Sequence, residues 1–273
     1  MKTKNAALFF CLILAACTGD VPPEQLPARE MQITTGQTIS IRIDEGEILV
    51  QGGGDDGSVT IGGQLFLPEE TTYSATSEVD QIQITSEHEG FRSSVAPIRM
   101  NVTVPNNVRI KIESDFASIT VRDYEGELET ASVAGDILIE NSQGTITARS
   151  NRGDVTVRNS AGNISVVGNY GLLTLDGSKG DIGVSTIMGT ITFNGLIHAD
   201  DDVRLETDHG PVDVNLEADS ALTLSARSTS GDLACMLPGI DSSTRWCEGQ
   251  FGAGGGALQI RTVSGAVWIR LMP

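Results

Sequence analysis

The sequence predicts an all-β fold, a single-domain parallel β-solenoid with about two short strands in each coil of 18–21 residues. Three observations carry this. Glycine returns at intervals of nine over eight positions, Gly126, Gly135, Gly144, Gly153, Gly162, Gly171, Gly180 and Gly189, in a chain with 31 glycines. Large aliphatics follow these glycines at fixed offsets. No stretch shows the 3.6-residue spacing of a helix. A short constant period marks one structural unit copied and stacked, and such units are not stable singly.

In chain order, Met1 to Lys4 give a positive start and Ala6 to Ala16 an apolar core of eleven residues, too short to span a bilayer as a helix. The run closes on Leu14-Ala15-Ala16-Cys17, which resembles the bacterial lipobox. That resemblance implies a signal peptide over 1–16 and lipidation of Cys17, chemistry that needs a thiolate and small residues before it. Several acyl chains anchor stably where one would be marginal. The protein is therefore expected to be exported and lipid-anchored to the bacterial cell membrane or outer membrane, facing periplasm or exterior. Thr18 stands where an aspartate would resemble an inner-membrane retention signal, which favours the outer membrane in a two-membrane cell. Residues 17–30 hold Pro22, Pro23 and Pro27 and little apolar content, so a tether is expected there. The solenoid domain would then occupy 31–273.

Alternating segments at 39–43, 59–61, 82–84, 100–104 and 108–112 precede the repeat and read as strands. Within the repeat, the third residue counted from each glycine is Leu128, Ile137, Ile146, Val155, Ile164, Leu173, Ile182 or Ile191. The fifth is Thr130, Ile139, Ala148, Val157, Val166, Leu175, Val184 or Phe193. Mostly polar residues lie between them, giving short strands with one buried face. The glycine sits where a turn needs positive φ or close backbone approach. A second period is nested inside: Asn141-Ser142, Asn159-Ser160 and Gly177-Ser178 recur every eighteen residues, while alternate units carry Ser150-Asn151 and Gly168-Asn169. Two units therefore make one coil, each coil giving one strand to each of two sheets. Gly189, Gly210 and Gly231 continue at spacings of 21, a coil with three added residues. Strands follow at 203–205, 212–216, 222–224, 258–260 and 267–269, with insertions near 86–96 and 236–256.

The formal charge is -18, and without the first sixteen residues 16 basic groups face 36 acidic ones, a net -20. Such a chain repels nucleic acid and anionic lipid headgroups. It suits cations, basic partners, or solubility at a crowded cell surface.

The run "MNVTVPNNVRIKIESDFASITVRDYEGELETASVAGDILIENSQG" and the close "LQIRTVSGAVWIRL" resemble the bacterial putative-adhesin β-strand-repeat family, also called the toastrack family. The Val104-Pro105 turn and the repeated G-D-h-x-h, where h is apolar, carry the resemblance, as does the T-x-S-G-x-V ending. It covers most of residues 35–273. It implies an exported or membrane-associated β-solenoid, adhesin-like and sometimes linked to envelope stress, with no residue-level active site to carry over.

Candidate sites are few. A calcium β-roll needs GGxGxD turns, and here an acid follows the framing glycine only intermittently, as at Glu127, Asp136, Asp154 and Asp181. Asp200, Asp201 and Asp202 form either a loose cation site or an acidic turn. His88, His198 and His209 lack paired ligand spacing, although His198 and His209 could meet near Asp208 and Asp213. No metal and no cofactor is expected. Cys235 and Cys247 suit a disulfide in an exported protein. Cys235 also falls on an inward position, so a buried thiol stays open. Trp246, in the same segment, is the candidate contact residue. Thr156, Thr174 and Thr192 should form an outward column, but the nearby Asp154, Arg158 and Asp176 spoil the flat uncharged face that ice binding needs.

No nucleophile elbow, phosphate loop or zinc-protease helix appears. The expected function is a non-catalytic envelope lipoprotein, an adhesin-like binding or scaffold solenoid, with the membrane anchor, a glycan or a surface protein as partner and no nucleic acid. The alternatives are a carbohydrate-active β-helix enzyme, which needs carboxylates converging on one sheet, or an envelope-stress scaffold that self-associates through its ends. The last strand, Ala266 to Leu271, would offer such an edge, blunted by Pro273.

Overall fold

The computed structural model describes residues 22–34, 36–55, 57–90 and 96–272. The signal segment, Cys17 and Pro273 lie outside them. The described residues form 25 strands: β1 (Glu24–Gln32), β2 (Thr38–Ile43), β3 (Glu47–Gln51), β4 (Ser58–Leu65), β5 (Thr71–Ser77), β6 (Gln81–His88), β7 (Ile98–Thr103), β8 (Arg109–Ser114), β9 (Ser118–Arg122), β10 (Glu125–Ser132), β11 (Ile137–Glu140), β12 (Gln143–Ser150), β13 (Val155–Arg158), β14 (Ala161–Gly168), β15 (Leu172–Asp176), β16 (Lys179–Thr186), β17 (Thr190–Gly195), β18 (Asp202–Thr207), β19 (Val212–Leu216), β20 (Leu222–Ser228), β21 (Leu233–Cys235), β22 (Asp241–Ser242), β23 (Trp246–Phe251), β24 (Gly256–Thr262) and β25 (Val267–Leu271). Sheet I runs β1-β4-β7-β3-β9-β11-β13-β15-β17-β19-β25-β21, and sheet II runs β22-β23-β20-β24-β18-β16-β14-β12-β10-β8-β2-β6-β5.

From β8 to β19 each coil gives one strand to each sheet, all parallel and in register, as the eighteen-residue period requires. Ile137, Val155 and Leu173 stand in one file that continues to Ile191 and Val212. All sixteen third and fifth residues of the repeat are at most 2% exposed. The interior between the sheets is thus a stack of aliphatic files, each filling the space left by the rung beneath.

The two nested unit types are the two corners. Where the chain passes from sheet I to sheet II, Asp123, Asn141, Asn159 and Gly177 take left-handed φ of 48–61°, a conformation that Asn, Asp and Gly tolerate best. The next residue turns inward, and the Ser142 amide donates to Ser160 Oγ at 3.2 Å in the next rung. Passing from sheet II to sheet I, the side-chain oxygens of Ser132, Ser150, Thr186, Thr207, Thr262 and Ser228 each accept the glycine N–H three residues on, at 2.7–3.0 Å. These serines and threonines are buried, so each hydroxyl satisfies an amide that water cannot reach.

The ends differ from the sequence-based expectation in three ways. Residues from Glu24 onward, expected as tether, form β1, which pairs antiparallel with β4. Pro27 falls where the register slips between Leu26 and Arg29 on this edge strand, where a missing N–H breaks no regular ladder. Secondly, strands at the ends, β21 apart, are antiparallel: β4 on β7, β5 on β6, β23 on β20 and β22 on β23.

Thirdly, the end coils are not laid down in sequence order. The chain builds β2 and β3, reverses through β4 and β5 two rungs further out, and then fills the gap with β6 and β7. At the other end β20 and β21 stand off from β18 and β19, and β24 and β25 fill that gap. Gly231 therefore stacks on Gly265, not on Gly210. The last strand is interior, paired with β19 and β21, and offers no free edge for another chain.

Candidate functional site

The functional surface is assembled at the corner leading from sheet II to sheet I. Backbone hydrogen bonds between rungs define its files. One file runs Val133, Asn151, Asn169, Ile187, Asp208, Val263, and the next runs Ala134, Arg152, Tyr170, Met188, His209, Ser264. Most members are polar or small, as a solvated corner requires. Val133 and Val263 are single exposed valines in the first file, whereas two successive rungs carry a cluster. Val167, Tyr170 and Leu172 in one, with Ile187 and Met188 in the next, are exposed apolar side chains; Ile187 is 47% and Met188 51% exposed. Gly171, at φ +103°, makes the tight turn that holds Tyr170 outward.

Grooves flank this ridge on the sheet II side. One, of about 440 Å³, has Arg42, Glu113, Val133, Arg149 and Val167 on its walls. The other, of about 690 Å³, is walled by Val167, Ile187, Glu206, Arg261 and Val263. Their arginines are paired across rungs: Arg42 with Glu113 at 3.5 Å, Arg149 with Glu129 at 3.1 Å and Arg261 with Glu206 at 3.7 Å. Lys111, 2.7 Å from Glu113, holds that carboxyl below the usual range chiefly through its hydrogen bond, and its own value is raised in return. Such exposed pairs add little stability, but they leave this face close to neutral within a strongly acidic chain.

The residues singled out in the sequence are dispersed. His198 precedes β18 and His209 follows it, so they occupy opposite corners and do not meet. His209 Nδ1 lies 2.8 Å from Ser264 Oγ. Asp201 is buried; its carboxylate accepts the Gly180 amide at 2.8 Å and the His198 amide at 2.7 Å, so the triple-aspartate segment closes the enlarged corner. Asp136 and Asp154 each accept an amide from the next rung. Among the described residues, no group of three or more His, Cys, Asp or Glu is placed to hold a metal. Thr156, Thr174 and Thr192 form the expected outward file.

Cys235 and Cys247 are joined, with Cα atoms 6.4 Å apart. Cys235 ends β21 in sheet I and Cys247 lies in β23 of sheet II, so the bond ties the two sheets together at the C-terminal cap. Cys247 is fully buried and Cys235 partly so, which reconciles the inward position with the bond. Trp246 is 42% exposed on this cap, paired in register with Arg227 and apart from the apolar ridge. Sequence reasoning missed the ridge. Aligning corners every eighteen residues would have found it, since Tyr170 and Met188 follow Arg152 in one file.

No protein-family model and no curated protein matches the chain. Solved structures of similar overall course include a putative cell adhesion protein from Clostridium sporogenes, at 11% identity and TM-score 0.30, over 92% of this chain and 100% of that one. A putative adhesin from Bacteroides fragilis follows at 11% identity and TM-score 0.34, over 91% and 97%. A putative lipid binding protein from Parabacteroides distasonis is similar at 9% identity and TM-score 0.34, over 94% and 98%. Among the described residues no helix is long and apolar enough to cross a membrane.

Proposed function

We propose that this chain is a non-catalytic cell-envelope lipoprotein, anchored through Cys17, whose solenoid is an adhesin-like binding scaffold. It presents the Tyr170–Met188 corner to a glycan or surface-protein partner. The observation that carries this reading is the cluster of five exposed apolar side chains on two adjoining rungs. Solvated corners need polar residues, so contiguous Tyr, Leu, Ile and Met have a physical reason only if something covers them. Stacked in-register rungs hold these side chains at a fixed spacing of about 4.8 Å, so little ordering is left to the moment of binding. Several carboxylates are used at corners or in cross-rung pairs, and among the described residues no group of three or more His, Cys, Asp or Glu is gathered in one place to hold a metal, which speaks for a scaffold over a glycoside-cleaving enzyme.

The test is an array of envelope proteins and glycans probed with the full chain and with a Tyr170→Ser/Met188→Ser double variant. Retention of a partner by the wild type and its loss by the double variant is expected. Equal binding by both would overturn the reading. Lipidation is tested separately: Cys17→Ser should abolish palmitate labelling and release the chain from the membrane fraction.

A further inference from the structure

Among the described residues one buried side-chain polar atom has no hydrogen-bond partner, Asp213 Oδ1. It lies on the outer face of sheet I, where β17, β19 and β25 bring together residues more than fifty positions apart. Asp213 stands in the file Thr192, Asp213, Trp268, Ala234. The adjoining file is Asn194, Asn215, Arg270. Arg270 joins the two, its Nη2 donating to Asp213 Oδ2 at 2.9 Å and its Nε to Asn215 Oδ1 at 2.7 Å. Asn215 in turn donates to Asn194 Oδ1 at 2.7 Å. Beside this chain of fixed polar groups Trp268 is 40% exposed, and its next neighbour in the file is the small, exposed Ala234.

We infer that Trp268, Asp213, Arg270 and Asn215 form a subsite for a neutral pyranose glycan. The inference goes beyond the scaffold reading, adding to the Tyr170–Met188 corner a second surface whose ligand has a stated chemical class. A sugar ring has one face of polarised C–H bonds and an equatorial girdle of hydroxyls. An exposed indole matches the first through its negative ring face. The second is met by planar carboxylate, amide and guanidinium groups held in place by their own hydrogen bonds. Asp213 Oδ1 lacks a donor, and a sugar hydroxyl is a small donor of the kind that would satisfy it. Arg270 is neutralised by Asp213 within a chain of net charge -18, so the site disfavours uronic acids and phosphorylated sugars. Thr192 and Thr174 continue the file away from Trp268, extending a hydroxyl-lined track for further sugar units.

The experiment titrates the full chain, in a sugar-free detergent, with laminarin, mannan and xylan as neutral probes and polygalacturonate as the anionic one. Binding is read by calorimetry and by tryptophan fluorescence. A neutral polymer is expected to bind and to alter the fluorescence, polygalacturonate not. Trp268→Ala should weaken binding by about tenfold or more, Trp268→Phe should retain most of it, and Val79→Ser, at an exposed position outside both surfaces, should leave it unchanged. Matched thermal melts establish that the variants are folded. Undiminished binding by Trp268→Ala, stronger binding of polygalacturonate, or no binding of any neutral probe overturns the inference. If the neutral probes fail while the array still yields a partner dependent on Tyr170 and Met188, the subsite falls and the scaffold reading stands. If both fail, both fall.

Discussion

Individual residues in this solenoid are held to their identity by the rung beneath. A Cβ on Gly153 would lie 2.2 Å from the Gly135 carbonyl oxygen, although its φ is one that any residue adopts. The glycine period is thus partly a record of backbone approach between rungs rather than of turn conformation. Gly153→Ala should destabilise the protein by about 2 kcal/mol or more. Gly183, at mid-strand with open space for 4 Å around the position a Cβ would take, should accept alanine with a change within about 1 kcal/mol on the stabilising side. Thermal melts of the pair distinguish crowding from a general cost of losing glycine. Ser150→Ala would leave the Gly153 amide without its acceptor and cost about 1–3 kcal/mol. Tyr124, fully buried with its hydroxyl donating to the Val108 carbonyl, has its pKa pushed well above the ordinary phenol range by burial and then by Glu127. A raised folded-state value means the contribution is whole below the unfolded value of 10.0 and falls as pH rises past it. Wild type should therefore lose stability above that pH more steeply than Tyr124→Phe, as denaturant melts across the alkaline range would register.

Among the elements, the caps separate this chain from an endless stack. β1 carries a proline and a register slip, and β21 is only three residues long, both ways to blunt an edge. Arg29 adds a strap from β1 in sheet I to the Ala75 carbonyl on β5, the edge of sheet II. At the far end the Cys235–Cys247 bond closes a short loop whose constraint is worth about 3 kcal/mol in the chain-entropy model. Its reduction should loosen β21 to β23 first and leave the β8 to β19 stack intact. Limited proteolysis after reduction should then cut within 236–246 before anywhere in the repeat. Early cutting in the repeat would show that the cap supports the whole stack.

For the whole molecule the gap-filling ends have a consequence for truncation. In a solenoid stacked in chain order, removing the last coil merely moves the end by one rung. Here β24 and β25 lie between two other coils, so ending the chain at Gly255 removes the rung joining β18 and β19 to β20 and β21. That truncation should abolish cooperative folding of everything from β20 onward. Circular dichroism showing a loss of only two strands' worth of signal, with an unchanged melt, would contradict it.

The two-walled solenoid, the inward files and the alternating corners are all legible in the order of residues alone. Period and alternation are one-dimensional properties, and residues eighteen apart such as Ile137 and Val155 need only stack to satisfy them. The sequence offered Cys235 and Cys247 as a candidate pair with a buried thiol as the alternative, and the structure joins them. Tertiary structure alone decided the order of the end coils, the place of β1 in the sheet, and the surface built from Asp213 and Arg270. Strands with the same apolar alternation are interchangeable as neighbours, so the order of stacking is settled by turns and reversals that carry no period. A site made across rungs likewise depends on which rung lies next to which, and that adjacency exists only once the chain has doubled back to fill its own gap.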